Sequence, residues 1–238
     1  MAIEQRGAYG GARTIDRAAV DVGLRKYMLG VYNYMASGVL LTGIVALIVA
    51  SSPVMLQVIF GTPLKWVVMF SPLVFVLAMN FGLNRFSATT IQAMFWGLCI
   101  CYGLSFATIF LVFTGESIAR VFFISAGAFA GLSLYGYTTG RDLSGMGSFL
   151  IMGVIGLLIA TVVNIFMASP ALHFAISVIG VLVFAGLTAF YTQAIKSEYV
   201  EDEAGDVRTK KSVMGAMSLY IAFIAMFMYL LQIFGNRE

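Results

Sequence analysis

The chain is short of charge. Of its 238 residues only 11% are Asp, Glu, Lys or Arg, whereas a soluble domain carries roughly 25%. Seven long apolar runs, at about 27–50, 65–83, 90–112, 118–138, 146–168, 171–194 and 212–234, contain no aspartate or glutamate at all. Ion- and proton-handling membrane proteins usually set an acid inside the bilayer, so this absence bears on function. There is one histidine, His173, and there are two cysteines, Cys99 and Cys101. Cysteines two apart on a helix do not face each other. One such pair without histidine partners is no zinc site, and both read as small apolar residues of a span.

The scarcity excludes whole classes. HExxH, GxSxG, the P-loop and the Rossmann fingerprint are all missing. With one histidine and no buried acid, general acid–base catalysis lacks its usual groups. An enzyme is not expected, nor is a bound cofactor or metal. A formal net charge of +3 is too weak to imply nucleic-acid binding.

What is present is apolar length. A helix spans the bilayer core with about 20 apolar residues, and 61% of this chain is hydrophobic. The seven runs use up residues 27–238 and leave no room for a soluble domain. The expected fold is therefore an all-α membrane protein of seven transmembrane helices, preceded by a polar tail over 1–26. Residues 1–13 are rich in glycine and read as irregular. Thr14 is a possible cap for an amphipathic lead-in helix. The first run is too long for a signal-peptide core and is expected to stay as a first span.

The basic residues are lopsided. Arg6, Arg13, Arg17, Arg25, Lys26, Arg85, Arg141, Lys196, Arg208, Lys210 and Lys211 fall on the N-terminal side of the membrane. Lys65, Arg120 and Arg237 fall on the other. The positive-inside rule places the N-terminus in the cytoplasm and, after seven spans, the C-terminus outside. The longest polar segment, 195–211, mixes acids and bases. Its spacing is not that of a calcium-binding EF-hand loop, and it reads as a solvated loop rather than a regulatory cation site.

Small residues mark candidate packing faces, because close backbone approach drives helix association in lipid. Gly127 and Gly131 stand at GxxxG spacing, as do Gly136 and Gly140. Gly153 and Gly156 share a face with Asn164. Gly215, Ser218, Ala222 and Ala225 form a narrow stripe on the seventh span. Asn33, Asn80, Gln92, Asn164 and Gln193 need partners at membrane depth, which interhelical hydrogen bonds or a substrate would supply. His173 reads as an interfacial residue, with a proton relay as the alternative. Arg85 either snorkels from the end of the second span or turns inward to an acid. No internal repeat stands out, so an inverted-repeat transporter gains no support.

The stretch 117–166, above all YGYTTGRDLSGMGSFL, resembles the middle of the bacterial Bax inhibitor-1 family, also called the transmembrane Bax inhibitor motif or YccA-like family. The likeness continues through 176–196 and 215–238. It implies a seven-helix fold of the bacterial inner membrane with the last helix central among the other six. It also implies a calcium leak channel gated by pH, through one aspartate on the sixth and one on the seventh helix and an arginine near the end of helix two. Two such carboxylates in low dielectric share a proton and titrate as a pair. This chain departs from that pattern. LTAFYTQ puts Tyr191 where the family reads LTAYDTQ, and LYIAFIA puts Ala222 where it reads LYLDFIN. Arg85 is the best match for the arginine. The resemblance thus implies a cation-leak scaffold without its acid sensor. Some relatives instead modulate the membrane-anchored protease FtsH, which needs a cytoplasmic tail but no aspartates. A transporter of small organic solutes is a third reading, but no charged site is evident to hold a polar substrate.

Overall fold

The computed structural model describes residues 4–237, with side chains from residue 22 onward. Helix α1 runs Glu4–Ala50. After it come a short α2, Pro53–Phe60, then α3, Leu64–Gly82, and α4, Ala88–Phe106. A single turn, α5, Ile109–Val112, leads into α6, Gly115–Thr138, and α7, Ser144–Met167. The chain ends on α8, Pro170–Ser197, and α9, Gly205–Phe234. Seven segments are long and apolar enough to cross a membrane, with α4 and α5 together forming one of them. All seven expected spans are present. Thr14 is not a cap, because it lies inside α1, and the glycine-rich stretch from residue 4 is drawn into the same helix. Extending an existing helix costs far less than nucleating one, so a first span can carry such residues with it.

Local chemistry sets the ends. Pro170 opens α8, where its missing N–H is no loss, and Ser169 caps it by accepting from the Leu172 N–H at 3.3 Å. At the other end of α7, Asp142 Oδ1 accepts from the Ser144 N–H at 2.9 Å. Hydrogen bonds from the Ser144 hydroxyl and N–H hold the Asp142 carboxyl below the usual carboxylate range. Ala168 closes α7 at φ 47°, a left-handed position that glycine more often fills. Pro72 lies inside α3 and leaves the Val68 carbonyl without its helical donor. Two hydroxyls answer it: Ser71 Oγ at 2.9 Å and, from α4, Ser105 Oγ at 3.1 Å. In hydrocarbon such a carbonyl has no water to turn to, so the proline becomes a join between α3 and α4.

Helix α9 is the core. Of its most apolar stretch 56% is buried, against 11% for α7. It packs against α1, α4, α6 and α8. Helix α3 is held mainly through α4, and α7 through α8. The last helix is central, but four of the other spans cover it directly rather than six. The outer surface is as apolar as the interior: Phe166 is 85% exposed and Ile165 73%.

Several expected packing glycines face outward. A Cβ placed at Gly127, Gly131 or Gly156 would meet nothing within 4 Å. The buried stripe of α6 is instead Ser117, Val121, Ser125, Phe129, Ser133 and Gly136. Gly136 lies directly against the backbone of Ala189 on α8. Gly153 does face α8, with Val183 Cγ2 3.2 Å from where its Cβ would stand, and Gly215 similarly meets Ile195 at 3.0 Å.

Two hydroxyl chains tie the bundle. Thr42 on α1 lies 2.7 Å from the Tyr220 hydroxyl on α9 and 3.0 Å from the Cys99 carbonyl on α4. Tyr32 meets Ser133 at 2.6 Å, and Ser133 meets Thr192 at 2.9 Å, joining α1, α6 and α8. Thr42 has a single hydrogen and two carbonyls to receive it, those of Gly38 and Cys99. The Tyr220 hydroxyl is therefore the donor to Thr42. Removing Thr42's oxygen strands a fully buried hydroxyl, whereas removing Tyr220's leaves Thr42 satisfied. Thr42→Val is expected to destabilise the protein by about 1–3 kcal/mol and Tyr220→Phe by about 0.5–1.5 kcal/mol. Thermal unfolding of the detergent-solubilised variants measures the order, and a smaller effect for Thr42→Val would contradict this assignment.

Candidate functional site

Between α4 on one side and α8 on the other, helix α9 borders open space. Two cavities open there. The inner one, at the basic end of the bundle, has a volume of about 610 Å³. It is walled by the turn after α3 (Leu83, Asn84), the end of α8 (Tyr191, Ala194, Glu198) and the start of α9 (Lys210, Lys211, Gly215, Ser218). The outer one, about 320 Å³, lies between α4, α7, α8 and α9. Asn164, His173, Ala225, Tyr229 and Gln232 line it. Ser218 borders the first cavity and Ile221 the second. Three residues on a helix span about 4.5 Å, so less than one turn of α9 separates them.

Ala222, one residue beyond Ile221 on α9, flanks that septum, lines neither cavity and has no exposed surface. Tyr191, half-buried, lies in the wall of the inner cavity. The two positions thus fall near the same gap, Ala222 on α9 beside the barrier and Tyr191 on α8 in the wall of the inner mouth. The small-residue stripe of α9 is only partly a packing face. Gly215 seats Ile195, but Ser218 and Ala225 border space, and the Ser218 hydroxyl turns back to the Met214 carbonyl at 3.1 Å.

The polar residues divide. Gln92 makes an interhelical bond, donating from Nε2 to the Tyr34 hydroxyl at 2.5 Å. Gln193 secures the loop before α7 by accepting from the Leu143 N–H at 2.8 Å and donating to the Arg141 carbonyl at 2.7 Å. Asn80 reaches no other helix; it is exposed and donates to Val76 of its own helix at 2.8 Å. A side chain on the outward face of α3 has no neighbour to bond, so the nearest backbone carbonyl serves. Asn164 accepts from the Ser169 N–H at 3.1 Å and so closes the α7–α8 turn. His173 is exposed at the mouth of the outer cavity, and its carbonyl and Gln232 both receive the Ser177 hydroxyl at 2.9 Å. The structure brings Asn164 and His173 to one cavity, on either side of the short turn between α7 and α8.

Arg85 is exposed, beyond the end of α3, and pairs with no acid among the described residues. The cations at the inner cavity are Lys210 and Lys211, which the sequence presented only as part of a basic loop. Lys210 Nζ donates to the Leu83 carbonyl at 3.3 Å. Lys211 pairs with Glu203 at 2.5 Å and donates to the Glu198 carbonyl at 3.1 Å. The acids of the 198–206 loop are thus partly spent on fastening α9. No cluster of three metal-ligating side chains occurs among the described residues.

The sequence comparisons agree with one another. The family described as inhibitor of apoptosis-promoting Bax1 matches residues 24–238. An uncharacterised protein of Caulobacter vibrioides is 48% identical, with 96% of this chain and 98% of that protein covered. One from Rickettsia prowazekii is 46% identical over 92% of each chain. The inner membrane protein YbhL of Escherichia coli is 40% identical, covering 91% of this chain and 94% of its own. With seven membrane-length helices, the last of them the most buried, this chain is a multi-pass membrane protein and belongs to the Bax inhibitor-1 family.

Proposed function

We propose that the chain is a leak-channel scaffold for calcium or another cation, closed at the Ala222 septum and without an acidic pH sensor. The observation that carries this reading is the pair of cavities approaching each other along α9 from opposite ends of the bundle. A path interrupted over less than one helical turn needs only a modest rearrangement to become continuous. The residues at the gap hold no carboxylate. A missing acid removes a cation attraction of several kcal/mol at low dielectric, so flux through the open form is weak and does not answer to pH. The chain is not an enzyme on this reading, and it needs no cofactor.

The basic end, with the N-terminus, faces the cytoplasm, as the lysine and arginine bias favours. Single cysteines introduced in the background Cys99→Ala, Cys101→Ala test this. In intact cells a membrane-impermeant thiol reagent is expected to label Ser169→Cys and spare Glu201→Cys, and the reverse pattern would invert the topology.

A second reading is favoured by α1, which begins at Glu4 although the apolar run begins only at about residue 27, after Arg25 and Lys26. A helical arm of roughly 34 Å ahead of the apolar run is suited to hold a partner such as the membrane protease FtsH. Affinity purification from native membranes, with and without residues 2–20, checks it. A partner recovered with the full chain and lost with the truncated one supports the arm as its docking site, and recovery of none counts against it.

Flux is the direct test. In calcium-indicator liposomes the protein is expected to pass little calcium, at a rate unchanged between about pH 6 and 8, where a coupled acid pair titrates. Robust, steeply pH-gated flux would overturn the reading. Tyr191→Asp together with Ala222→Asp is expected to create flux that varies with pH, because one of two close buried carboxyls holds its proton to near neutrality. Neither single variant is expected to do so.

A further inference from the structure

We infer that the inner cavity is a binding site for a phosphate group, held by Lys210, Asn84 and Tyr191. Three elements bring these residues to one space: the turn after α3, the end of α8 and the start of α9. All three side chains are hydrogen-bond donors. The Asn84 amide, exposed at the rim, and the half-buried Tyr191 hydroxyl make no hydrogen bond to another described residue. Lys210 uses one of its three N–H groups, on a neutral carbonyl 3.3 Å away, and among the described residues no carboxylate lies within ion-pair distance of it. The other basic group of the wall, Lys211, is already paired with Glu203. Glu198 is the one acid on the wall, and it is exposed at the rim with its backbone carbonyl engaged by Lys211.

A cavity with unspent donors and an unpaired cation selects an acceptor-rich anion. A phosphate presents several oxygens at once, so it can take the lysine, the amide and the phenol together, and bonds of this kind to a charged acceptor are the strong ones. The volume, about 610 Å³, exceeds what a halide needs and leaves room for an attached organic group. Its depth also fits. Lys210 and Lys211 lie just before the apolar run that begins at residue 212, and a span of 30 residues overreaches the hydrocarbon core at both ends. The site therefore sits at headgroup level, where the phosphate comes either from an anionic lipid or from solution. This inference does not depend on whether the bundle conducts.

The full-length protein in phosphatidylcholine nanodiscs tests it. Its thermal midpoint is titrated with inorganic phosphate, against chloride at matched ionic strength, and compared with nanodiscs that also contain phosphatidylglycerol. Stabilisation by phosphate identifies a soluble occupant, and stabilisation by phosphatidylglycerol alone identifies a lipid headgroup. Lys210→Gln is expected to weaken the apparent affinity about tenfold, as loss of a charged hydrogen bond does. Lys210→Arg is expected to retain most of it. Tyr191→Phe removes the phenol donor without touching the lysine and is expected to weaken binding several-fold, about what loss of one hydrogen bond to a charged group gives, which keeps the test decisive should Lys210→Gln fold poorly. Lys65→Gln, at the opposite end, leaves binding unchanged. The inference is overturned if neither ligand stabilises the protein beyond chloride. It is equally overturned if Lys210→Gln and Tyr191→Phe respond as the unaltered protein does.

Discussion

The hydroxyl of Tyr220 meets that of Thr42 at 2.7 Å in the centre of the bundle, where no water is at hand. Much of the architecture depends on this contact being made. A helix that is apolar on every face has no preferred neighbour in lipid, because tails are as apolar as leucine. Polar contacts and close approach have to choose the neighbour. Tyr220 and Thr42 choose α1 for α9, and the Cys99 carbonyl brings α4 to the same point. Ser133, between Tyr32 and Thr192, does the same for α6 and α8. The four helices chosen in this way are the four that cover α9.

On the side of α9 between α4 and α8 the one such tie among the described residues is the Ser177 hydroxyl on Gln232, and the inner and outer cavities lie on that side. Between α4 and α8 the small residues Ser218 and Ala225 border space rather than a partner. Helix α8 packs along α9, with close fits of Ile195 against Gly215 and Tyr229 against Gly180 and a bond from the Ser177 hydroxyl to Gln232. Ala222 lies between them. The septum is thus a short length of well-packed helix between two clasps, with loosely filled space on either side. Movement of α8 relative to α9 at those clasps is the change that would join the cavities.

The spans, their number and the absence of acids were legible because hydropathy over about 20 residues is a strong signal. The family was legible from the stretch around Arg141. The faces were not. Gly127 and Gly131 have the spacing of a packing motif, yet they point away from the bundle, while Ser117, Ser125 and Ser133 carry the contact on the same helix. In water a polar side chain would have marked the outer face. In lipid both faces are apolar, and periodicity loses its direction. For the same reason Asn80 gave no sign that it would bond its own helix, whereas Gln92 reaches Tyr34 on α1. Lys210 and Lys211 were visible only as charge. Their place on a cavity depends on the turn after α3 lying beside the start of α9, more than 120 residues later in the chain.

On the proposed reading, Tyr191 and Ala222, at positions where the family resemblance implies acids, act through the septum rather than the fold. A carboxyl at a fully buried position is tolerated when neutral and disruptive when ionised, which is what lets an acid pair link proton uptake to packing. Ala222 has no ionised form, so the closed septum has the same stability at every pH as far as that residue is concerned. Tyr191 adds a donor at the inner mouth where an acid would have added negative charge. The two changes act in one direction. On the proposed reading they remove the driving force that would open the septum, and they leave a mouth whose donors are a lysine, an amide and a phenol. A scaffold of this kind would keep the family's helices and their order without the electrostatic reason for a cation to enter.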